Sequence, residues 1–222
     1  MNILSIDSST NKVSIALKKH DDVFSLESEQ EIHASQVILS MIDEILKKYD
    51  MKCKDLNALT FNKGPASFTG TRIAASVTQA IGYSWQIPVF GISSLALIAF
   101  DYYEKTNHSK ILCIKKAYSQ KIFWALYDIK KNLYVPINGN HISGFSDVKL
   151  NTKHKCHGIS NCWDEYQTGS NKSIDQSVKC INIQENISAK KIIDFVTVNE
   201  NFEKKFNYKD TLPEYVSHDL FD

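Results

Sequence analysis

The sequence predicts an α/β fold built in two parts. Three observations point there. The first 27 residues alternate apolar and polar positions with period two, interrupted by two turns. From residue 34 to about 103, helical and strand patterns then take turns, giving the order β-β-β-α-β-α-β-α. Finally, composition turns polar over Glu104–Lys110 and strand patterns resume, which divides the chain into 1–104 and 105–222.

Asn2–Asp7 places Ile3, Ser5 and Asp7 against Leu4 and Ile6, and ends in Asp7-Ser8-Ser9-Thr10. Asn11-Lys12 turns into Val13–Leu17, and His20-Asp21-Asp22 turns into Val23–Glu27. Ala34–Tyr49 is the clearest helix: Val37, Ile38, Met41, Ile42, Ile45, Leu46 and Tyr49 follow i, i+3/i+4 spacing, with Lys47 and Lys48 at the negative end of its dipole. Asp55–Asn62 reads as a short buried strand leading into Gly64-Pro65-Ala66-Ser67-Phe68-Thr69-Gly70. A second helix is expected over Thr71–Trp85, with Ile73, Ala74, Val77, Ile81 and Trp85 apolar and much of its surface small. Pro88–Gly91 is a strand and Ser93–Tyr103 a third helix. In the second part, Ile111–Lys116, Lys121–Ile129 and Leu133–Ile137 read as strands, Thr168–Ser173 as a loop and Ala189–Val198 as a modest helix. The second part thus reads as a weaker echo of the first.

With 222 residues and 43% hydrophobic content, a sizeable core can form. Net charge is +1, and acids and bases are scattered, which argues against a strong nucleic-acid footprint. The lysine doublets read as solvated faces. The first residues lack the charged start of an export signal, and no apolar run reaches the ~18 residues of a membrane span. Five cysteines without framework spacing then read as reduced thiols, and the expected location is cytoplasmic.

Arg72 is the only arginine among 26 basic residues. Lysine serves wherever a plain charge suffices, so a guanidinium here points to a planar fork, either a ligand clamp or a lock between loop and helix. The Gly64–Gly70 loop entering a helix offers N–H groups to an anion. It is not a P-loop, because Thr71-Arg72 stands where Lys-[Ser/Thr] belongs. Asp7-Ser8-Ser9-Thr10 is either a phosphate- or metal-facing turn or a hairpin cap. His154-Lys155-Cys156-His157 with Cys162 matches no zinc spacing. His33 has no histidine at i+4, and no serine has a nucleophile-elbow context. Trp163 reads as an aromatic anchored under a loop.

Together these segments resemble the TsaB (YeaZ) family. The resemblance rests on Ile3-Leu4-Ser5-Ile6-Asp7-Ser8-Ser9-Thr10, on His33-Ala34-Ser35-Gln36 with Met41–Leu46, and above all on Gly64-Pro65-Ala66-Ser67-Phe68-Thr69-Gly70-Thr71-Arg72-Ile73. Pro88–Leu95 follows at the expected distance, and Gly158–Trp163 and Pro213-x-Tyr215 are similar more weakly. The resemblance implies a two-lobed ASKHA (actin/Hsp70/sugar-kinase-like) fold, with mixed sheets flanked by helices and a reduced second lobe. It implies a non-catalytic partner that pairs with the catalytic paralogue TsaD and works with the ATPase TsaE. The reaction is threonylcarbamoyl transfer to adenosine next to the anticodon of tRNAs reading codons that begin with A.

The catalytic paralogue carries a metal-binding H-x-x-x-H where this chain has Ser94 and Ile98, so no metal is expected. Asp7, Ser8, Ser9, Thr10, Gly64, Ser67, Thr69, Gly70 and Arg72 are the candidate nucleotide-facing or structural positions. By family likeness the first two helices form the pairing face, through His33, Val37, Met41, Ile45, Ala74, Ala75, Thr78 and Ile81, for a homodimer when alone and for the heterodimer. No tightly bound cofactor is expected, with ATP or ADP at the complex interface as the one candidate, and tRNA is met through the complex. Three positions depart from the family: Ala66 and Ala74 replace glycines, and Lys116-Ala117-Tyr118 replaces Asp-Ala-Arg. The rival readings are an ATP-dependent phosphotransferase, a glycoprotease-like peptidase and a direct RNA-binding module.

Overall fold

The computed structural model describes residues 1–29, 33–130, 133–150, 155–165, 174, 177–183, 187–199, 206–214 and 216. Two compact units are formed by Met1–Leu97 with Ile187–Glu214, and by Ile98–Asn186 with the last residues. The boundary lies inside a helix rather than in the polar stretch at 104, and a late segment returns to the first unit. The expected division into 1–104 and 105–222 differs in both respects.

In the first unit, β1 (Ile3–Asp7), β2 (Ser14–Lys19), β3 (Asp22–Glu27), β4 (Ala58–Gly64) and β5 (Val89–Ser93) form a sheet in the order β3-β2-β1-β4-β5. β1 is antiparallel to β2 and parallel to β4, with Leu4 opposite Leu59 and Ile6 opposite Phe61. Every β1 residue is buried, as expected of a central strand covered on both faces. Leu4, Ile6, Leu59 and Phe61 pack with Ile38, Met41, Ile42 and Ile45 of α1 (Ala34–Lys48) and Ala74 and Ala75 of α2 (Phe68–Trp85). α3 (Ser94–Thr106) follows β5 directly.

The helix over Ala189–Asn199, here α4, belongs to this first unit, not to the second part where the sequence places it. It packs on β1, β2 and β4, and buries Ile192, Ile193 and Val196. Its first N–H, from Ala189, donates to the Ser14 hydroxyl of β2 at 2.8 Å. Helical periodicity marks α4 as amphipathic but carries no information about which sheet receives its apolar stripe.

The second unit repeats the plan. β6 (Lys110–Lys116), β7 (Lys121–Asp128), β8 (Pro136–Gly144), β9 (Cys156–Ser160) and β10 (Val178–Asn182) run in the order β10-β9-β6-β7-β8. β6 is antiparallel to β7 and parallel to β9, as β1 is to β2 and β4. β8 begins three residues after the expected Leu133 start. β9 and β10 lie where the sequence shows a His/Cys run and a polar stretch. Trp163 is the anchored aromatic the sequence suggests: its indole N–H donates to the Gly158 carbonyl at 3.0 Å, and its ring meets Phe145 edge-on. The loop expected at Thr168–Ser173 lies outside the described residues.

The His/Cys run does not converge. His154 lies outside the described residues. Burial pushes the Cys156 thiol up to about 11, and Cys162 Sγ contacts Ser160 Oγ at 2.9 Å. Among the described residues no three His, Cys, Asp or Glu side chains are grouped for a metal. His157 Nδ1 is instead 2.7 Å from the Tyr102 hydroxyl on α3, and its ring lies 3.8 Å from that of His108.

Burial first, then the His108 ring and Lys179, push the His157 imidazole below its ordinary value of 6.5. The folded state thus binds a proton at His157 less readily than the unfolded chain. Its contribution to stability is complete above about pH 6.5 and declines as pH falls through that value toward the lowered one. Urea unfolding at pH 7.5 and 5.5 is expected to show a smaller acid loss in His157→Gln than in the wild-type chain; an equal loss assigns the acid sensitivity elsewhere.

Candidate functional site

The Gly64–Arg72 segment is held by the turn after β1. Gly64 has φ of +98°, a left-handed conformation that suits glycine, and its N–H donates to Asn62 Oδ1 at 3.0 Å; the Gly64–Pro65 peptide is cis. α2 begins at Phe68, three residues earlier than periodicity suggests, because Ser67 caps it: the Gly70 N–H donates to Ser67 Oγ at 3.4 Å, and the Thr71 hydroxyl bonds the Ser67 carbonyl at 2.8 Å. The Ser8 hydroxyl donates to the Gly70 carbonyl at 2.8 Å, and the Ser67 N–H to the Ser9 carbonyl at 3.2 Å. A Cβ on Gly70 would lie 1.8 Å from the Ser8 carbonyl oxygen. The β1–β2 turn and the first turn of α2 are therefore one interlocked unit, and glycine at 70 is a packing requirement.

This lock opens onto a cavity of about 460 Å³ lined by predicted residues Ser8, Thr10, His33, Ser67, Thr69 and Gly70. Asn11, Ala34, Ser35, Gln36 and Ile73, which the sequence reading did not assign to a site, line it as well. The first turns of both α1 and α2 face it, and neither carries an acid. Two positive helix ends and a ring of hydroxyls suit an anionic or hydroxyl-bearing group. Among the described residues, no Lys, Arg, Asp or Glu lines the cavity. Asp7 is 2% exposed and its Oδ1 accepts the Ser9 N–H at 3.1 Å, the hairpin-cap arrangement. Ser9 is buried as well. A phosphotransferase would need a carboxylate here to hold a metal-bound phosphate, and the described residues of this wall offer none.

Arg72 lines a neighbouring groove of about 490 Å³ between α1 and α2, with Ser35, Ile38, Leu39, Phe68, Ile73, Ser76 and Val77. Its guanidinium carbon sits over the Phe68 ring, 3.1 Å from the centroid, a cation–π contact. Leu39 is 64% and Phe68 68% exposed. Leu39 was legible as the apolar residue of α1 that falls off the core stripe, and Phe68 as an aromatic in a glycine loop.

The expected pairing residues need correction. Ala74, Ala75 and Thr78 are buried in the first unit's own core, where the Thr78 hydroxyl bonds the Ala74 carbonyl at 2.9 Å. Met41 and Ile45 are buried there too, and Val37 and Ile81 pack against the same core. Small residues do signal close helix packing, but here against β4 and α1 of the same chain. Bulky substitutions at Ala75 or Thr78 would strain the fold itself. His33 is exposed at the α1 N-terminus.

A sheet of this order, repeated and flanked by helices, is an ASKHA-type fold. The family model for TsaD, tRNA N6-adenosine threonylcarbamoyltransferase, matches residues 28–186. The YeaZ structure from Pseudomonas aeruginosa superposes with a TM-score of 0.77 over 96% of this chain and 99% of that one, at 20% identity. The tRNA threonylcarbamoyladenosine biosynthesis protein TsaB of Buchnera aphidicola (subspecies Acyrthosiphon pisum) is 30% identical over 216 residues, 95% of each chain. Its Escherichia coli namesake is 31% identical over 132 residues, 60% of this chain and 57% of that one. The chain belongs to the TsaB (YeaZ) family.

Gly70→Ala is expected to destabilise the chain by more than about 3 kcal/mol, since backbone rather than a flexible side chain blocks the new methyl. A urea midpoint within error of wild type would show that the β1–β2 turn yields.

Proposed function

We infer that this chain is the non-catalytic partner in threonylcarbamoyl transfer to adenosine next to the anticodon of tRNAs reading codons that begin with A. It pairs with and activates a TsaD-like catalytic paralogue, together with a TsaE-like ATPase, and forms a homodimer when alone. The observation that carries this reading is the apolar groove between α1 and α2, with Leu39 and Phe68 in water, in a member of a family whose curated relatives are named for this biosynthesis. Exposed apolar side chains gathered on two adjacent helices mark a protein contact. On α3, the Ser94 hydroxyl is taken by Asn62 Oδ1 at 2.8 Å and Ile98 is a hydrocarbon, so this pair supports an accessory rather than a catalytic part. The reading includes no tightly bound cofactor in this chain, with ATP or ADP held at the interface of the complex, tRNA met through that complex, and a cytoplasmic location.

The pairing face therefore centres on Leu39, Phe68, Arg72, Ile73 and Val77, beside the core positions that support it. Leu39→Asp and Phe68→Ala are each expected to weaken binding to the catalytic paralogue at least tenfold, about 1.4 kcal/mol, with little change in urea midpoint. Modified nucleoside made from threonylcarbamoyl-adenylate, tRNA, paralogue and ATPase should fall in parallel and vanish when the chain is left out. Full product without the chain contradicts the reading.

A further inference from the structure

The β6–β7 turn holds the same place in the second sheet that the Asp7–Asn11 turn holds in the first, because β6 and β7 repeat the pairing of β1 and β2. It carries a family departure that the pairing role does not absorb, Lys116-Ala117-Tyr118, within the run Lys115-Lys116-Ala117-Tyr118-Ser119-Gln120-Lys121. The Ala117 N–H donates to the Lys121 carbonyl at 2.9 Å, and the Lys121 N–H to the Tyr118 carbonyl at 3.0 Å. Ser119 and Gln120 have φ of +52° and +59°. Two consecutive left-handed residues make a type I′ turn, which Asn-Gly ordinarily fills. Here both residues bear side chains, so a tight two-residue tip is kept at a conformational cost.

That tip presents Tyr118, 65% exposed. A single exposed tyrosine is ordinary. This one is flanked by lysines on both strands of a narrow hairpin. Lys116 forms an exposed ion pair with Glu165, and Lys121 starts the return strand. The charge of the whole chain is also unevenly shared. The second unit, Ile98–Asn186 with Tyr215–Asp222, holds 12 lysines against 10 carboxylates, while the first holds 14 basic residues against 15 acidic. The near-zero net charge of the whole chain thus leaves a small positive excess on the second unit. An aromatic face in water among cations is what stacks an unpaired base and neutralises its phosphates.

We propose that the β6–β7 hairpin tip contacts a single-stranded loop of RNA, with Tyr118 stacking on a base and Lys116 and Lys121 on the flanking phosphates. This rests on the reading that the complex acts on tRNA. The hairpin adds a contact of this chain's own to that substrate.

The test is fluorescence anisotropy of a labelled anticodon stem-loop RNA added to the full assembly of chain, catalytic paralogue and ATPase. The same preparations are assayed for product with and without the chain. Tyr118→Ala is expected to bind the RNA about tenfold more weakly, with Tyr118→Phe close to wild type because the ring is retained. Lys121→Ala is expected to lower the slope of log affinity against log salt by about 0.7. If the assembly still needs the chain for product but Tyr118→Ala binds RNA as wild type does, the hairpin assignment is overturned and the proposed function stands. If product does not depend on the chain, the proposed function falls and takes this assignment with it.

Discussion

The contact between Gly70 and the Ser8 carbonyl organises the first unit. A glycine pressed on the backbone of the β1–β2 turn leaves no room for adjustment, so that turn, the start of α2 and the Ser67 cap are fixed together. α2 then lies where its small residues, Ala74, Ala75 and Thr78, are buried in the core it shares with α1 and the sheet. Close packing of the inner faces leaves Leu39, Phe68 and Val77 at the edge of an outward groove, and Arg72 stacks over Phe68 there. The same lock shapes the hydroxyl-lined cavity at the two helix N-termini. One steric constraint thus sets both a candidate ligand cavity and a candidate docking face.

The second unit keeps the strand order and orientations of the first, but its chemistry has changed. Where the first hairpin holds a buried Asp7 that caps its own turn, the second holds Lys116 and an exposed Tyr118 on a tip of two left-handed residues. Sheet topology survives because it needs only apolar strands such as Ile111–Ile114 and Ile122–Ala125. Hairpin tips are solvent-exposed and free to take up other work.

Much of this was legible in the sequence, and the gaps have physical causes. α1 was clear because its core stripe is continuous and its last turn carries two lysines. β1 to β3 were clear because they alternate between short turns, and β4 and β5 because each is a short apolar run between helices. The start of α2 was missed because a glycine-and-proline run reads as loop, while Ser67 caps the helix inside it. β9 and β10 were missed because Cys156-His157-Gly158 and Lys179-Cys180 lack an apolar pattern; their partners β6 and β9 hold them in the sheet. The assignment of α4 to the first unit depends on a pairing of residues 175 positions apart, Ser14 and Ala189, which no local pattern encodes. Ser67, Thr69 and Gly70 were singled out because the glycine loop carries them, and Ser8 because it stands in the turn after β1; all four line the cavity. The groove residues Leu39 and Phe68 were not singled out, although Leu39 falls off the core stripe of α1, because no local pattern shows that the two side chains line one groove.

The most direct test is hydrogen–deuterium exchange of this chain with and without the catalytic paralogue. The account predicts new protection concentrated in Ser35–Leu39 and Phe68–Val77, at amides that open readily in the chain alone. Protection confined to other segments, in a complex that still makes product only with this chain present, would contradict it.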